Sequence, residues 1–175
     1  PIAYGAVHHA PDGTLWVTSD EGSDFQRLGI LDPTTGKLAP RSSEKWDVDS
    51  FHIAPDGRFL AYVVNEAGID RVRVLDLKSN AVRTVESLGT GVVGGLEIAE
   101  WGDIGLTFTS ARSAADAYAI DPVTLQATRW TAGSPTARLL LPGDAARPST
   151  AWSARPTAAS SRSSSWAPAS PAPQQ

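Results

Sequence analysis

The sequence contains no cysteine. Disulfides, thiol catalysis and thiolate metal sites are excluded together by that absence. A surplus of positive charge is missing too: 19 acidic side chains outnumber 15 basic ones, for a formal net charge of -4. Neither this balance nor any basic run interleaved with aromatics points to nucleic acid or an anionic membrane surface. No apolar run is long enough to cross a bilayer. The opening residues, PIAYGAVHHA, carry no start methionine and no basic segment followed by an apolar one, so they read as the interior of a longer chain rather than as a leader. What remains is a soluble protein of the cytoplasm or periplasm, with the compartment open and length enough for one modest domain.

Motifs of nucleotide and acyl-transfer chemistry are absent as well. No serine sits in a G-x-S-x-G elbow, and the strand-turn-helix setting of such an elbow is missing. The stretch GTGVVGG, Gly89 to Gly95, has glycines but no following Lys-Ser/Thr, and reads as a connection between structural units. The three histidines, His8, His9 and His52, lack the spacing of a metal motif, and no cofactor is expected.

What is present is a long-period repeat. APDG occurs at Ala10–Gly13 and again at Ala54–Gly57, 44 residues on. Leu31-Asp32 and Leu75-Asp76 keep the same offset, and a weaker third copy follows 45 residues later, with Ile98-Ala99, Gly102 and Ile120-Asp121. A period near 44 belongs to propellers and solenoids. Within a copy the pattern is that of strands. RFLAYVV is rich in aromatic and β-branched residues, and RVRVLDL alternates charged and apolar side chains with period two. PDG, NEAGID and KSNA supply the turns. Each copy therefore holds four short strands, and one such sheet cannot hide both faces unless copies stack around an axis. The expected fold is all-β: a partial β-propeller of about three four-stranded antiparallel blades over residues 4–133, with blades at about 4–48, 49–92 and 93–133. In the last turn of each blade Gly36 and Asn80 suit positive φ, whereas Leu125 is a poorer fit, so either the third copy has drifted or its turn differs.

From Ser134 the composition shifts to Ala, Ser and Pro, and acidic residues almost vanish. Such a segment cannot bury enough apolar surface to offset the cost of ordering, so residues 134–175 are expected to be disordered. A flexible linker and a shifted reading frame in GC-rich coding DNA both fit that composition, and the abrupt change after TRWTAG favours the second.

The candidate contact residues lie at hairpin tips, where loops carry binding work. Asp20, Glu21 and Asp24 cluster with Arg27 in SDEGSDFQR, and Glu66 stands near Arg71. Solvated surface charge is the plainer reading of the same residues. Asp12 and Asp56 suit local hydrogen bonding in their turns. Trp16, Trp46, Trp101 and Trp130 are expected as wedges in the core between blades. His8 and His52 share one repeat position and are expected as neighbours on polar strand faces.

Three segments in order, TSDEGSDFQRLGILDPTTGKLAP, WDVDSFHIAPDGRFLAYVVNEAG and GLTFTSARSAADAYAIDPVTLQATRWT, resemble the propeller of prolyl oligopeptidase family serine peptidases over roughly Tyr4 to Thr131. PDGRFLAY alone is shared by many propellers; the ordered set is more specific. The resemblance implies an N-terminal propeller that gates peptide access to a C-terminal α/β-hydrolase domain carrying Ser, Asp and His. No residue here matches that triad, so the partner domain is expected outside this chain and the chain alone is expected to be catalytically silent. A non-enzymatic propeller module for protein or peptide binding is the alternative.

Overall fold

A computed structural model describes residues 1–131; the expectation for residues 134–175 lies outside the described residues. Twelve strands form three antiparallel sheets of four, each a simple meander in chain order. Blade 1 holds β1 (Tyr4–His9), β2 (Leu15–Ser19), β3 (Arg27–Leu31) and β4 (Leu38–Pro40). Blade 2 holds β5 (Val48–Ile53), β6 (Phe59–Glu66), β7 (Ile69–Asp76) and β8 (Val82–Thr84). Blade 3 holds β9 (Val92–Ile98), β10 (Ile104–Ser110), β11 (Ser113–Ile120) and β12 (Ala127–Arg129). The first strands are the innermost: β5 lies against β1 and β2, and β9 against β5, β6 and β7. The architecture is the expected partial propeller. Among the described residues no helix is long and apolar enough to cross a membrane.

The pairing registers show how the blades stack. Across blade 1, His8 pairs with Trp16 and Trp16 with Ile30. The matching row of blade 2 is His52, Ala61, Val74, and that of blade 3 is Glu97, Gly105, Ala119. Side chains alternate between faces along a strand, so the adjoining residues form a second row on the opposite face. That row reads His9, Leu15, Leu31, Leu38 in blade 1; Ile53, Leu60, Leu75, Val82 in blade 2; and Ile98, Ile104, Ile120, Ala127 in blade 3. One buried cluster joins Trp16 and Ile30 to Ile53, Leu60 and Leu75. The other joins Ala61 and Val74 to Ile98, Ile104, Ile120 and Ala127. The first face of each blade thus receives the aliphatic face of the next, and the stacking runs head to tail.

Several local expectations are corrected. Trp16 is core at 4% exposure, but Trp101 and Trp130 are 74% and 66% exposed, and Trp46, 43% exposed, meets the Phe25 ring at 6.3 Å without entering the core. The third blade's last turn has not changed type. Gly36, Asn80 and Leu125 have φ of 69°, 58° and 59°, and each donates its N–H to the carbonyl of Asp32, Asp76 or Asp121 at 2.8 Å. Leu125 tolerates the left-handed geometry because its side chain packs on the core shared by blades 2 and 3. The glycine-rich stretch is only partly a connection, since Val92 to Gly95 already belong to β9. The two APDG turns also differ: Ala10 N–H reaches Thr14, whereas Ala54 N–H reaches Phe59, one residue further. The shorter β6–β7 hairpin compensates, so the rows stay aligned. Ala67 and Gly68, both at positive φ, form its two-residue connection.

Candidate functional site

The β2–β3, β6–β7 and β10–β11 hairpins close at the end where the inner strands begin, as the pairs Tyr4 with Ser19, Val48 with Val64 and Thr109 with Val92 require. Carboxylates stitch neighbouring blades together at this rim. Between blades 1 and 2, Gln26 N–H donates to Asp47 Oδ1 at 2.8 Å, and Asn65 N–H donates to the Asp47 carbonyl at 3.1 Å. Between blades 2 and 3, buried Asp70 accepts from Val93 N–H at 2.7 Å and from Asn65 Nδ2 at 2.8 Å. Asp49 stands beside these groups; its partial burial, and then the charges of Asp70 and Asp47, push its carboxyl above the ordinary range.

The six contact candidates fall on two neighbouring hairpins. On the first, Asp20 Oδ1 accepts from Ala3 N–H at 2.7 Å and so pins the start of β1. Glu21 meets the Tyr4 hydroxyl at 3.5 Å, and its carbonyl accepts from Arg27 Nη2 at 2.6 Å. Arg27 Nε is buried without a hydrogen-bond partner among the described residues. Asp24 is exposed. On the second, Glu66 accepts from Arg73 Nη2 at 2.6 Å and lies 3.7 Å from Arg71 Nε. Arg73 also grips Glu44, whose other oxygen accepts from the buried Tyr62 hydroxyl at 2.8 Å. Burial, and then Glu44, push the Tyr62 phenol far up, so it remains a neutral donor. The structure therefore draws Glu66 and Arg71 into one network and leaves Asp24 apart. Glu44 was invisible to pattern reading because it sits in the connection before β5, outside any repeat position.

Along the inner strands runs a second polar array. The His8 and His52 rings meet edge to face at 5.4 Å, and His8 also lies 4.9 Å from the Phe51 ring. His52 Nδ1 accepts from Ile98 N–H at 3.2 Å, while Nε2 stands 3.0 Å from Glu97 Oε2. Accepting at Nδ1 leaves Nε2 as the donor of the neutral ring. Burial, followed by His52, lowers the His8 pKa, with Glu97 opposing. His8 touches His52 and His52 touches Glu97, so the three run from blade to blade instead of converging on one point. Among the described residues no group of three or more His, Cys, Asp or Glu is arranged to hold a metal ion. Glu97 escaped the sequence reading, although it stands 45 residues after His52 as His52 stands 44 after His8.

At the opposite end the inner turns and the last turns carry five aspartates in local caps. Asp12, Asp32, Asp56, Asp76 and Asp121 accept from backbone N–H groups two or three residues on. Hydrogen bonds hold all five carboxyls below the ordinary value, first the Thr14 and Thr35 hydroxyls at Asp12 and Asp32, and first the backbone N–H groups at Asp56, Asp76 and Asp121.

No protein-family model and no curated protein sequence matches the chain. Solved structures do. A puromycin hydrolase is similar over 73% of this chain and 20% of its own, with 21% identity and a TM-score of 0.63. A prolyl endopeptidase is similar over 75% of this chain and 20% of its own, with 27% identity and a TM-score of 0.61. TolB from Acinetobacter baumannii is similar over 75% of this chain and 32% of its own, with 19% identity and a TM-score of 0.59. The chain therefore spans about a fifth of the length of the peptidases it matches. Its three blades have the architecture of the N-terminal propeller region of prolyl oligopeptidase family peptidases, and to that region the chain is similar.

Proposed function

We propose that these blades are a non-catalytic part of a prolyl oligopeptidase-like serine peptidase, and that they wall the path by which peptides reach a C-terminal α/β-hydrolase domain. The observation that carries the reading is the head-to-tail stack of three blades whose inner strands share one axis, in the arrangement of the peptidase propellers. In prolyl endopeptidases inter-domain dynamics have a role in catalysis and specificity. A propeller acting in that way excludes bulky substrates without supplying a reacting group. The rim residues Asp20, Glu21, Asp24, Arg27, Glu66 and Arg71 are proposed as the substrate-gating contacts.

A serine-directed fluorophosphonate probe is expected to leave the purified chain unlabelled; stoichiometric labelling of one serine overturns the non-catalytic reading. The gating role is tested in the parent protein that carries both parts. Asp24→Asn and Arg71→Gln are expected to change KM for short peptides and leave kcat intact, because contacts kept equally in ground and transition states act on KM alone. A fall in kcat with KM unchanged would place these residues in the chemistry instead. The alternative reading is a propeller module that binds a protein or peptide without enzymatic action. Coding DNA around the blades separates the two: the first requires a hydrolase domain downstream, the second further blades and none.

A further inference from the structure

We propose that the seam between blades 1 and 2 holds, at the capped end of the sheets, a binding site for the carboxy terminus of a peptide. The inference does not rest on the peptidase reading, and both walls of the site lie within the described residues. The repeat reveals the site, because the next seam is closed at the same place. Between blades 2 and 3, Arg83 donates to the Pro122 and Val123 carbonyls at 2.7 and 2.9 Å. Ser87 donates to the Leu125 carbonyl at 2.8 Å and accepts from Ala127 N–H at 2.9 Å. Val85, between them, is 3% exposed and belongs to the shared core. The same three positions 44 residues earlier are Ala39, Arg41 and Ser43. Arg41 matches Val85 in backbone as well: its N–H donates to the Leu28 carbonyl at 2.7 Å, as Val85 N–H donates to Val72 at 2.9 Å. Leu77, Lys78 and Asn80 stand where Pro122, Val123 and Leu125 stand in blade 3. Among the described residues their carbonyls receive no hydrogen bond from blade 1.

A cavity of about 520 Å³ opens at this unsealed seam. Its floor is Ala10, Trp16, Ile30 and Leu77, all on the core shared by blades 1 and 2. Arg41 lines it from blade 1 and Lys78 from blade 2. Neither cationic side chain has an ion-pair or hydrogen-bond partner among the described residues. The two carboxylates on the cavity are engaged in their own turns. Asp12 accepts from the Thr14 N–H and hydroxyl at 2.9 and 2.7 Å, and Asp56 pairs with Arg58 Nε at 2.5 Å. An arginine in place of a core valine gives up apolar burial at the seam, a loss that a bound ligand recovers. The end of a peptide meets each feature. Its carboxylate suits the two cations, one on each blade. Its last side chain suits the apolar floor. Its N–H groups suit the carbonyls of Leu77 and Lys78, as the Arg83 guanidinium suits those of Pro122 and Val123.

The test is an NMR titration of the full chain, read at the Trp16 indole N–H and the Arg41 and Lys78 amides. The probe is acetyl-Gly-Ala-Leu with a free carboxylate, set against the same peptide as its carboxy-terminal amide. The acid is expected to shift all three signals at millimolar concentration. The amide should bind about tenfold more weakly or worse, as loss of a charge-assisted bond predicts. Lys78→Gln is expected to weaken the acid about tenfold for the same reason. Arg41→Val, which gives the open seam the residue of the closed one, is expected to abolish binding. Its melting curve establishes that it is folded; should it not fold, Lys78→Gln and the amide decide. Equal binding of acid and amide would overturn the proposal, as would acid binding unchanged by the variants or no shift at millimolar acid. Sodium acetate acting on the same signals at the same concentration would make this a site for any small anion and overturn the peptide assignment.

Discussion

Blade 2 and blade 3 are built on the same rows of cross-strand partners, yet among the described residues blade 2 is covered on both faces and blade 3 on one. In blade 2 both rows of β6 are buried and apolar: Phe59, Ala61 and Val63 toward blade 3, Leu60, Tyr62 and Val64 toward blade 1. In β10 only Ile104, Leu106 and Phe108 are buried, and the alternate residues are Gly105, Thr107 and Thr109. Burial on two sides turns an alternating strand into a continuous apolar run, and burial on one side preserves the alternation. The difference teaches that, among the described residues, blade 2 holds the three sheets together.

The sharpest way to break this comparison is to empty one row at its covered and its open copy. Leu60→Ala removes a side chain with no exposure, and a loss of about 2–5 kcal/mol is expected in urea unfolding. Leu15→Ala, in the same row of blade 1 but half-buried, should cost less than about 1.5 kcal/mol. Equal losses would mean that the row is covered in blade 1 as it is in blade 2.

A second cut falls on the seams. Asp70→Ala leaves the Val93 N–H and the Asn65 amide without their acceptor at a buried position, and about 1–3 kcal/mol of stability should go with it. Asp47→Ala, at the exposed seam of blades 1 and 2, should cost about 1 kcal/mol or less. Hydrogen exchange at Val93 should rise in the first variant alone; protection of Val93 unchanged by Asp70→Ala would sever the proposed link between blades 2 and 3.

Much of this fold was legible because each cue was local. PDG turns, strands such as RFLAYVV and the spacing of Leu31-Asp32, Leu75-Asp76 and Ile120-Asp121 depend on neighbours in sequence, and they located the sheets. The row from His8 to Glu97 was half legible, since the repeat offset marks all three positions but a change from histidine to glutamate hides the third. Exposure of Trp101 and Trp130 was not legible. Whether a tryptophan is a wedge depends on a partner blade, and on the face of blade 3 away from blade 2 there is none among the described residues. The Glu44–Arg73 pair was equally hidden, because a connection residue has no periodicity to place it.

The two ends of the sheets should respond to pH in opposite senses. At the capped end the five aspartates have lowered values in the folded state, caused first by hydrogen bonds from Thr14, Thr35, Arg58, Ser79 and Thr124. Their stabilisation is present above the ordinary carboxylate value of 3.8 and is lost as pH falls through the lowered folded values. At the hairpin rim Asp49 is raised, so its ionisation opposes folding: the penalty is absent below 3.8 and complete once pH exceeds the raised folded value. Asp49→Asn should therefore melt higher than the parent at pH 7 and equal to it at pH 3. Asp76→Asn should melt lower at pH 7, with a deficit that shrinks toward pH 2. A gain for Asp49→Asn that persists at pH 3 would show that the cost of ionising Asp49, from its burial first and the Asp70 and Asp47 charges next, is not its source.

The smallest expected effects sharpen the contrast between blade 1 and blade 3 at a single dihedral angle. Gly36, Asn80 and Leu125 occupy one left-handed position in three equivalent turns. A Cβ at Gly36 would meet nothing within 4 Å, so substitution there reports backbone strain without a clash. Gly36→Leu should cost about 1–2 kcal/mol, the penalty for an L side chain in that region. Gly36→Asn should stay within about 0.5 kcal/mol, since asparagine visits the region readily. Blade 3 bears the leucine because Leu125 packs on the core shared by blades 2 and 3, and among the described residues nothing offers such a core at Gly36. If Gly36→Leu proves neutral, backbone strain is not what Leu125 overcomes.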